Sequence, residues 1–237
     1  MGKNLTQQKR GKGSSTYRAP SFRYLGEAVH NKLTDKTVKG KILDIVKCPG
    51  HSAPLVKVAY ENGEKTLAIA PEGIRVGDVI GSGPESKIET GSILPLKNIP
   101  EGTSIYNIES SPGDGGKFVR ASGNFARIVG KTGEGIVIKL PSNKQRTFHP
   151  ECRASIGVIA GSGRTEKPFL KAGNRFHAKK AKNKLYPITS PTSMNAVCHP
   201  FGGKGSHTKG RPLQAPRSAP PGRKVGSIAP RRTGYKR

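Results

Sequence analysis

The chain has 237 residues, a formal net charge of +27 at pH 7, 32% hydrophobic residues and no tryptophan. The length indicates one or two domains, and so small an apolar fraction excludes a single core that the whole chain shares. No apolar run is long enough for a membrane span or a secretory signal, and three distant cysteines indicate free thiols in a reducing compartment.

Residues 1–35, with a net charge of +5, are predicted to form an extended basic arm. In this arm Arg18 and Arg23 alternate with aromatic residues. Basic side chains contact phosphates and aromatic rings stack on nucleobases, so this composition favours RNA binding. Because the arm has little apolar surface to bury, we expect it to be disordered alone and ordered on RNA.

Residues 36–83 have the pattern of a small β barrel. Val56, Val58 and Tyr60 alternate on one face of a predicted strand. A tight turn at 61–64 then leads into the next strand, where apolar residues return. Helical periodicity is absent from this region.

Residues 84–165 repeat this pattern of short strands separated by glycine-containing turns. The predicted strands lie at 103–109, 125–131, 135–140, 146–149 and 154–160. Such regular spacing indicates a second small barrel. The net charge over 36–165 is only +6, which agrees with a globular middle. We therefore predict a mainly β fold with two small barrels in series.

Residues 166–237 are predicted to form a second extended basic arm. Their net charge is +16, and no acidic residue follows Glu166. So much unbalanced positive charge prevents the segment from packing against itself, and it therefore needs a polyanion. We expect nucleic acid, since each Lys or Arg set against a phosphate releases a condensed counterion. Within this arm, 174–184 is the stretch that could form a short basic helix.

One compact motif in this arm, MNAVCHPFGG at 194–203, has the composition of a turn. Pro200 fixes the residue after His199, and the glycines Gly202 and Gly203 let the backbone approach a partner closely. We expect a turn inserted into folded RNA, with His199 as its hydrogen-bonding or stacking tip. The alternative is a rigid turn without such a contact. Acid–base chemistry at His199 would need a partner from elsewhere, because the arm lacks carboxylates after Glu166.

Two other motifs suggest a ligand less strongly. The sequence at 130–132 (GKT) resembles part of a phosphate-binding loop, but Phe125 stands where that loop requires a glycine. A zinc site could draw on two pairs with the spacing of zinc ligands. These pairs are Cys48 with His51 and His149 with Cys152. They lie in different predicted barrels, so we expect buried thiols and histidines in turns rather than metal ligands.

Several segments spread along nearly the whole chain resemble those of one known family. They are GKGSSTYRAPSFRY at 11–24, IAPEGIRVGD at 69–78, LPLKNIPEGT at 94–103, SSPGDGGKFVRASGN at 110–124, CRASIGVIAGSGRTEKPFLKAGN at 152–174, the motif at 194–203 and APPGRKVGSIAPRRTG at 219–234. In these segments the chain resembles archaeal members of the L-two family of large-subunit ribosomal proteins. The resemblance implies an OB-like barrel over 36–83, an SH3-like barrel over 84–165, and arms that enter the large-subunit rRNA.

The resemblance also implies a function and partners. A member of this family is a structural constituent of the large ribosomal subunit and a primary rRNA binder. It supports subunit association, tRNA binding and the peptidyl-transferase centre. Its partners are expected to be large-subunit rRNA, neighbouring ribosomal proteins, the small subunit across an intersubunit bridge and, indirectly, tRNA. We expect a cytoplasmic location in the ribosome, no cofactor and no catalytic residue, since catalysis in that centre is attributed to RNA.

RNA-binding residues are implied where the motifs match. Arg153 is the basic residue of the CRA motif that binds rRNA in the family, and His199 is the histidine that reaches toward the peptidyl-transferase region. His51 stands where the family has an RNA-binding arginine. The other expected RNA-binding residues are Arg18, Arg23, Asn195, Gly202, Gly203, Arg223, Lys224, Arg231 and Arg232. The chain departs from the family at Cys198, where an acidic residue is usual, and at Lys204, where glycine is usual.

Two other classes of function fit the residues without the resemblance. One is a free-standing RNA chaperone or nucleic-acid-binding protein built on the same barrels. It would bind heterogeneous sequences and would not sediment stoichiometrically with ribosomes. The other is an enzyme that uses His199 or a Cys/His metal site. It would show turnover or bound metal in isolation.

Overall fold

The computed structural model describes residues 6–34, 36–133, 135–205, 208, 210 and 212–230. They belong to two compact units. One unit is residues 21–169, which contain the main sheet. The other unit combines the residues before Ser21 with those after Phe169, and its described part consists mostly of turns and irregular backbone.

The unit 21–169 contains a ten-stranded sheet. Its strands are β1 (Val38–Val46), β2 (Leu55–Tyr60), β3 (Lys65–Ile69), β4 (Val79–Ser82), β5 (Ile93–Pro95), β6 (Ser104–Tyr106), β7 (Ala126–Thr132), β8 (Gly135–Lys139), β9 (Gln145–Phe148) and β10 (Arg153–Ile156). Their order across the sheet is β3-β2-β1-β4-β5-β10-β6-β7-β8-β9. Neighbouring strands pair in antiparallel fashion, apart from β4 and β5, which pair in parallel through Ser82 and Ile93.

Strands β1, β2 and β3 contain the apolar pattern that the sequence predicted, whereas β4 was not predicted as a strand. Val56, Val58 and Tyr60 are buried and pack with Ile42 in one cluster. The predicted tight turn joins β2 to β3, with Gly63 in the left-handed region at φ +82°. Glycine adopts that conformation without the steric cost of a Cβ. The predicted β structure of this region is therefore confirmed.

The second half of the unit also follows the prediction, with two strands shorter than expected. The predicted strands at 125–131, 135–140 and 146–149 correspond to β7, β8 and β9. Two others end early because the backbone leaves the extended region, at Asn107 (φ 48°) after β6 and at Gly157 (φ 118°) after β10. Strand β5 escaped prediction because a three-residue strand has almost no pattern of its own.

The fold is thus mainly β, an OB-like barrel followed by an SH3-like barrel, as predicted. The boundaries of the two barrels at 36–83 and 84–165 stay a prediction. The sequence placed residues 28–31 in the N-terminal arm, but Ala28, His30 and Asn31 are buried, and the Val29 N–H donates to the Leu67 carbonyl at 2.9 Å. Residues 28–31 therefore belong to the unit that contains the sheet.

The other unit contains two helices, α1 (Thr6–Gly11) and α2 (Ala172–Lys180), and a parallel pair of short strands, β11 (Gln214–Ala215) and β12 (Ser227–Ile228). Helix α2 confirms a short basic helix in this region, although it spans Ala172–Lys180 and not the predicted 174–184. After it, the Asn183 side-chain amide donates to the carbonyls of Ser15, Thr16 and Arg18 at 3.1, 2.8 and 2.7 Å, which ties the N-terminal segment to the tail. No helix in the described ranges is both long and apolar enough to cross a membrane.

Candidate nucleic-acid interface

Residues 194–203 form a compact turn held by its own backbone. The N–H groups of Cys198 and His199 both donate to the Asn195 carbonyl, at 2.9 and 3.2 Å. The Gly203 N–H donates to the Met194 carbonyl at 2.9 Å, which joins the two ends of the segment. The turn itself is therefore as predicted, while its contact with RNA stays a prediction.

His199 is half-buried in this turn and has one ring nitrogen occupied. Its Nδ1 accepts a hydrogen bond from the Phe201 N–H at 3.1 Å, and the two rings meet edge to face with centroids 5.1 Å apart. Burial lowers the pKa of His199 below its ordinary value of 6.5, which favours the neutral ring. A neutral ring that accepts at Nδ1 carries its proton on Nε2. The arrangement can therefore present an Nε2–H donor to a partner.

Gly202 is required by the packing of the turn on itself. A Cβ at this position would overlap the carbonyl oxygens of Met194 and Asn195. The sequence suggested that this glycine lets an external partner approach. In the structure the space beside it is taken by the chain's own backbone. Gly203, with φ 88°, has the left-handed conformation that favours glycine.

A cavity of about 500 Å³ lies beside the turn in the same unit. Its lining includes Arg10, Tyr17, Met194, Cys198 and His199. The Arg10 guanidinium lies 6.0 Å from the centroid of the Tyr17 ring. Aromatic rings and guanidinium groups are the side chains that stack on nucleobases. The structure thus brings an aromatic residue of the N-terminal segment together with the predicted tip.

Arg153, the first residue of β10, is buried, with only 4% of its surface exposed. Its Nε and Nη2 donate to Oε1 of Glu109 at 3.1 and 2.8 Å, and its backbone N–H donates to Oε2 at 2.8 Å. Its Nη1 donates to the Asn31 carbonyl at 2.9 Å. The family resemblance implied that this guanidinium binds rRNA. The structure gives that guanidinium partners inside the protein, and a direct contact with RNA stays a prediction.

Glu109 and His30 complete this buried polar cluster. Glu109 also accepts hydrogen bonds from the N–H groups of Gly113 and Gly115, so it fixes the loop after β6. His30 Nε2 donates to the Asn107 carbonyl at 2.7 Å. Burial, with the nearby Arg153 charge, lowers the pKa of His30 from 6.5 to about 4. Sequence reasoning missed both residues because their partners stand 44 and 77 positions away along the chain.

Three of the remaining predicted residues lie at or near the surface of the unit 21–169 or of the N-terminal segment. Arg18 and Arg23 are exposed, and the Arg23 guanidinium lies 5.3 Å from the centroid of the exposed Phe22 ring. His51 is half-buried in a turn, and the His51 N–H donates to the Cys48 carbonyl at 3.2 Å. The two arginines have the exposure that a contact with RNA needs.

The basic motif near the end of the chain is described only in part. Arg223 and Lys224 are half-buried, and their N–H groups both donate to the Pro220 carbonyl at 3.1 Å. Arg231 and Arg232 lie outside the described residues. Asn195 is exposed in the 194–203 turn. The predicted RNA-binding residues are thus divided between the two units.

The suggested zinc ligands do not form a cluster. In the part of the chain that the structure describes, no three His, Cys, Asp or Glu side chains are placed to hold a metal ion together. Cys48 and Cys152 are buried. Burial, with the charge of Glu109, raises the pKa of the Cys152 thiol to about 11, which favours the neutral thiol over the thiolate that metals bind. The zinc alternative gains no support from this geometry.

Two models of known protein families match the sequence. Residues 2–82 match the model described as "Ribosomal Proteins L2, RNA binding N-terminal domain", and residues 89–219 match "Ribosomal Proteins L2, C-terminal domain". The chain belongs to the ribosomal protein L2 family. The two matches together cover most of both predicted barrels, the 194–203 turn and most of the second arm.

Relatives within the ribosomal protein L2 family are similar over their full length. The proteins named "Large ribosomal subunit protein uL2" from Archaeoglobus fulgidus and Methanocaldococcus jannaschii are 49% and 50% identical, over 237 and 242 residues. In both comparisons the match covers 100% of each chain. The protein of the same name from Haloarcula marismortui is 49% identical over 235 residues, which cover 99% of this chain and 98% of the relative. The predicted likeness to archaeal family members is confirmed.

Proposed function

We propose that this chain is a structural constituent of the large ribosomal subunit and a primary binder of large-subunit rRNA. The observation that carries the proposal is its 49–50% identity, over the full length, to relatives named as large ribosomal subunit proteins. The family description of residues 2–82 as an RNA binding domain agrees with this. Under this proposal the chain binds and shapes RNA and does not catalyse a reaction.

Charge and burial give the two units different roles in RNA binding. The sheet unit has apolar clusters and a nearly balanced charge, so it supplies a rigid scaffold. The segment 166–237 has a net charge of +16 and few buried side chains. Its lysines and arginines gain most by displacing counterions from phosphates. Most of the salt-dependent free energy of rRNA binding therefore comes from the arms.

The turn at 194–203 supplies a shaped contact rather than more charge. Its backbone bonds hold His199 so that Nε2–H can donate to an RNA acceptor, and the adjacent cavity offers Tyr17 and Arg10 for stacking. RNA is recognised through such stacked and hydrogen-bonded groups as well as through phosphates. We assign to this turn the support of the peptidyl-transferase centre, while subunit association and tRNA binding follow from the position of the whole protein in the subunit.

Arg153 supports binding chiefly by positioning other residues. Its bonds to Glu109 and Asn31 connect β10, the loop after β6 and the segment 28–31. A planar guanidinium makes several such bonds at fixed angles, which lysine does not. The surfaces that meet RNA are therefore held in register by a residue that is itself buried.

The test is sedimentation of an epitope-tagged chain from a cytoplasmic lysate of its own cells. The expected result is one copy per large subunit, retained after the subunits are separated and washed at moderate salt. Sedimentation with small, heterogeneous RNAs, and absence from the large subunit, would contradict the proposal and favour a free-standing RNA chaperone. Turnover or stoichiometric metal in the purified chain would favour the enzyme alternative.

A further inference from the structure

A second cavity, of about 390 Å³, lies on the SH3-like barrel and takes no part in the interface described above. It lies where β7 begins and β8 ends, beside the turn that joins β8 to β9. Five of its lining residues carry its chemistry: Asn124, Phe125, Arg127, Lys139 and Asn143. They combine an aromatic ring, two cations and two amides, and among the residues that the structure describes no carboxylate lines the cavity.

The two cations are placed where they repel each other. Arg127 on β7 and Lys139 on β8 are directly opposite in the antiparallel register, and both are exposed. Like charges at such a position destabilise the pair of strands. Neither side chain forms an ion pair with any carboxylate of the described residues. An external anion between them would remove this repulsion, and a phosphate has the charge and size to bind both.

The aromatic ring is available for stacking. Phe125 immediately precedes β7, is 36% exposed and is not a member of the buried cluster of this barrel. The Arg127 guanidinium lies 5.4 Å from the centroid of its ring. Aromatic rings and guanidinium planes are both surfaces on which unpaired nucleobases stack.

The two amides can recognise the edge of a base. Asn143 has φ 62° in the turn between β8 and β9, and its N–H donates to the Leu140 carbonyl at 2.9 Å, which fixes its position. The side-chain amides of Asn124 and Asn143 make no hydrogen bond with the residues that the structure describes. An amide offers donors and an acceptor together, as a base edge requires.

We propose that this cavity binds one unpaired nucleotide of an RNA strand. The base stacks on Phe125, its phosphate lies between Arg127 and Lys139, and Asn124 and Asn143 bond to the base edge. The inference rests on the proposed function only in taking RNA as the ligand. An acidic peptide would satisfy the cations, but it would leave the ring and both amides without a role, so the structure favours the nucleotide.

The site can be observed directly because the chain has no tryptophan. In full-length Phe125→Trp, the single indole reports stacking through quenching of its fluorescence. The matched control is Ile88→Trp, at another exposed position of the same unit, next to Glu89. We expect large-subunit rRNA and single-stranded oligoadenylate or oligouridylate to quench the indole at position 125 with saturation. Duplex RNA should not quench the fluorescence of the indole at position 125. The fluorescence of the indole at position 88 should not change with any of these RNAs.

Three ligand results distinguish the sources of the same chemistry. Saturation by free adenosine monophosphate at the same concentrations as rRNA would overturn the assignment to an RNA strand in favour of a free nucleotide. Equal quenching by polyglutamate would overturn it in favour of acidic peptides. No quenching by single-stranded RNA, with the fold intact by circular dichroism, would overturn the site altogether.

A second pair of variants tests the site in the otherwise native chain. Phe125→Leu keeps apolar bulk and removes the stacking surface, and should weaken rRNA binding roughly 5- to 150-fold, the range that base stacking contributes per base. Lys139→Gln should weaken binding more than Lys87→Gln, which removes the same charge from an exposed position outside the cavity. Wild-type affinity in Phe125→Leu, while the unaltered chain binds rRNA, would refute the site and leave the proposed function intact. Failure of the unaltered chain to bind rRNA would instead count against the proposed function.

Discussion

At the scale of single residues, the buried ion pair of Arg153 and Glu109 shows how charge is tolerated inside this protein. The pair is nearly inaccessible, with side-chain exposures of 5% and 0%, and each partner makes further hydrogen bonds to backbone groups. Burying the two charges carries a desolvation cost that their attraction and hydrogen bonds have to offset, whereas removing one partner leaves an uncompensated buried charge and is strongly destabilising. Burial, aided by the positive charge of Arg153 and opposed by the charge of Glu109, lowers the pKa of His30 to about 4 and so keeps the ring neutral.

Glu109→Gln is expected to destabilise the sheet unit by about 3–5 kcal/mol, since it leaves Arg153 buried without a counter-charge. Urea unfolding followed by circular dichroism measures this. The effect on rRNA binding then separates two roles of Arg153. If Arg153 acts by positioning, Glu109→Gln and Arg153→Lys will weaken binding alike. If Arg153→Lys alone weakens binding, the arginine contacts RNA directly, as the sequence predicted.

His30 makes stability depend on pH in a defined window. Its pKa is about 4 in the folded chain and 6.5 as an unperturbed histidine, so the unfolded state binds more protons between these values. Stability is therefore complete above pH 6.5 and falls as the pH drops toward 4, with a loss of about 2 kcal/mol by pH 5. Urea unfolding at pH 7.5 and pH 5 measures the loss. His30→Gln should flatten this dependence, and an equally steep dependence in that variant would exclude His30 as its cause.

At the scale of elements, the turn at 194–203 separates a folding requirement from a functional one. Position 202 requires glycine, because a Cβ there would overlap two backbone carbonyls. His199, in contrast, contacts the turn through one hydrogen bond and one ring contact. The backbone bonds of the turn do not depend on the His199 side chain, apart from the bond to Phe201. Substitution of Gly202 should therefore impair assembly, and substitution of His199 should impair a later, functional step.

Gly202→Val should reduce the yield of large subunits more than His199→Ala does. The valine must open the turn, while the alanine leaves its backbone bonds in place. His199→Ala particles should form, with a loss of peptide-bond formation or subunit joining well below the roughly 10²–10⁴-fold cost of removing a general base. Particle yield and dipeptide formation measure the two effects. Abolished assembly in His199→Ala together with normal assembly in Gly202→Val would show that the histidine is a folding element.

Local pattern was enough to predict most of the elements. The alternation of Val56, Val58 and Tyr60 and the spacing of glycines located the main strands, because strand burial and turns are set by neighbouring residues. The backbone reversal at Asn107 and the cluster around Arg153 were not predictable in this way. They depend on partners such as Asn31, which is 122 positions from Arg153, and a single sequence gives no signal for such pairs.

At the scale of the whole molecule, the net positive charge is concentrated outside the unit that contains the sheet. Residues 1–20 hold five Lys and Arg, residues 170–237 hold 16, and neither segment contains an acid. The structure also shows that less of the predicted N-terminal arm 1–35 can be deleted without damage to the core. Since Ala28, His30 and Asn31 are buried, a deletion to residue 35 would open the core, whereas one that ends at Pro20 would not.

Deletion of 170–237 should therefore flatten the salt dependence of rRNA binding far more than deletion of 1–20. The slope of log affinity against log salt grows with the number of phosphates that the protein neutralises, and the two segments differ about threefold in positive charge. Filter binding to large-subunit rRNA over a series of salt concentrations gives both slopes. Circular dichroism of each truncated chain shows whether the sheet unit is still folded. Equal slopes for the two deletions would mean that binding depends on the barrels and that the charge of the tail is not set against phosphates.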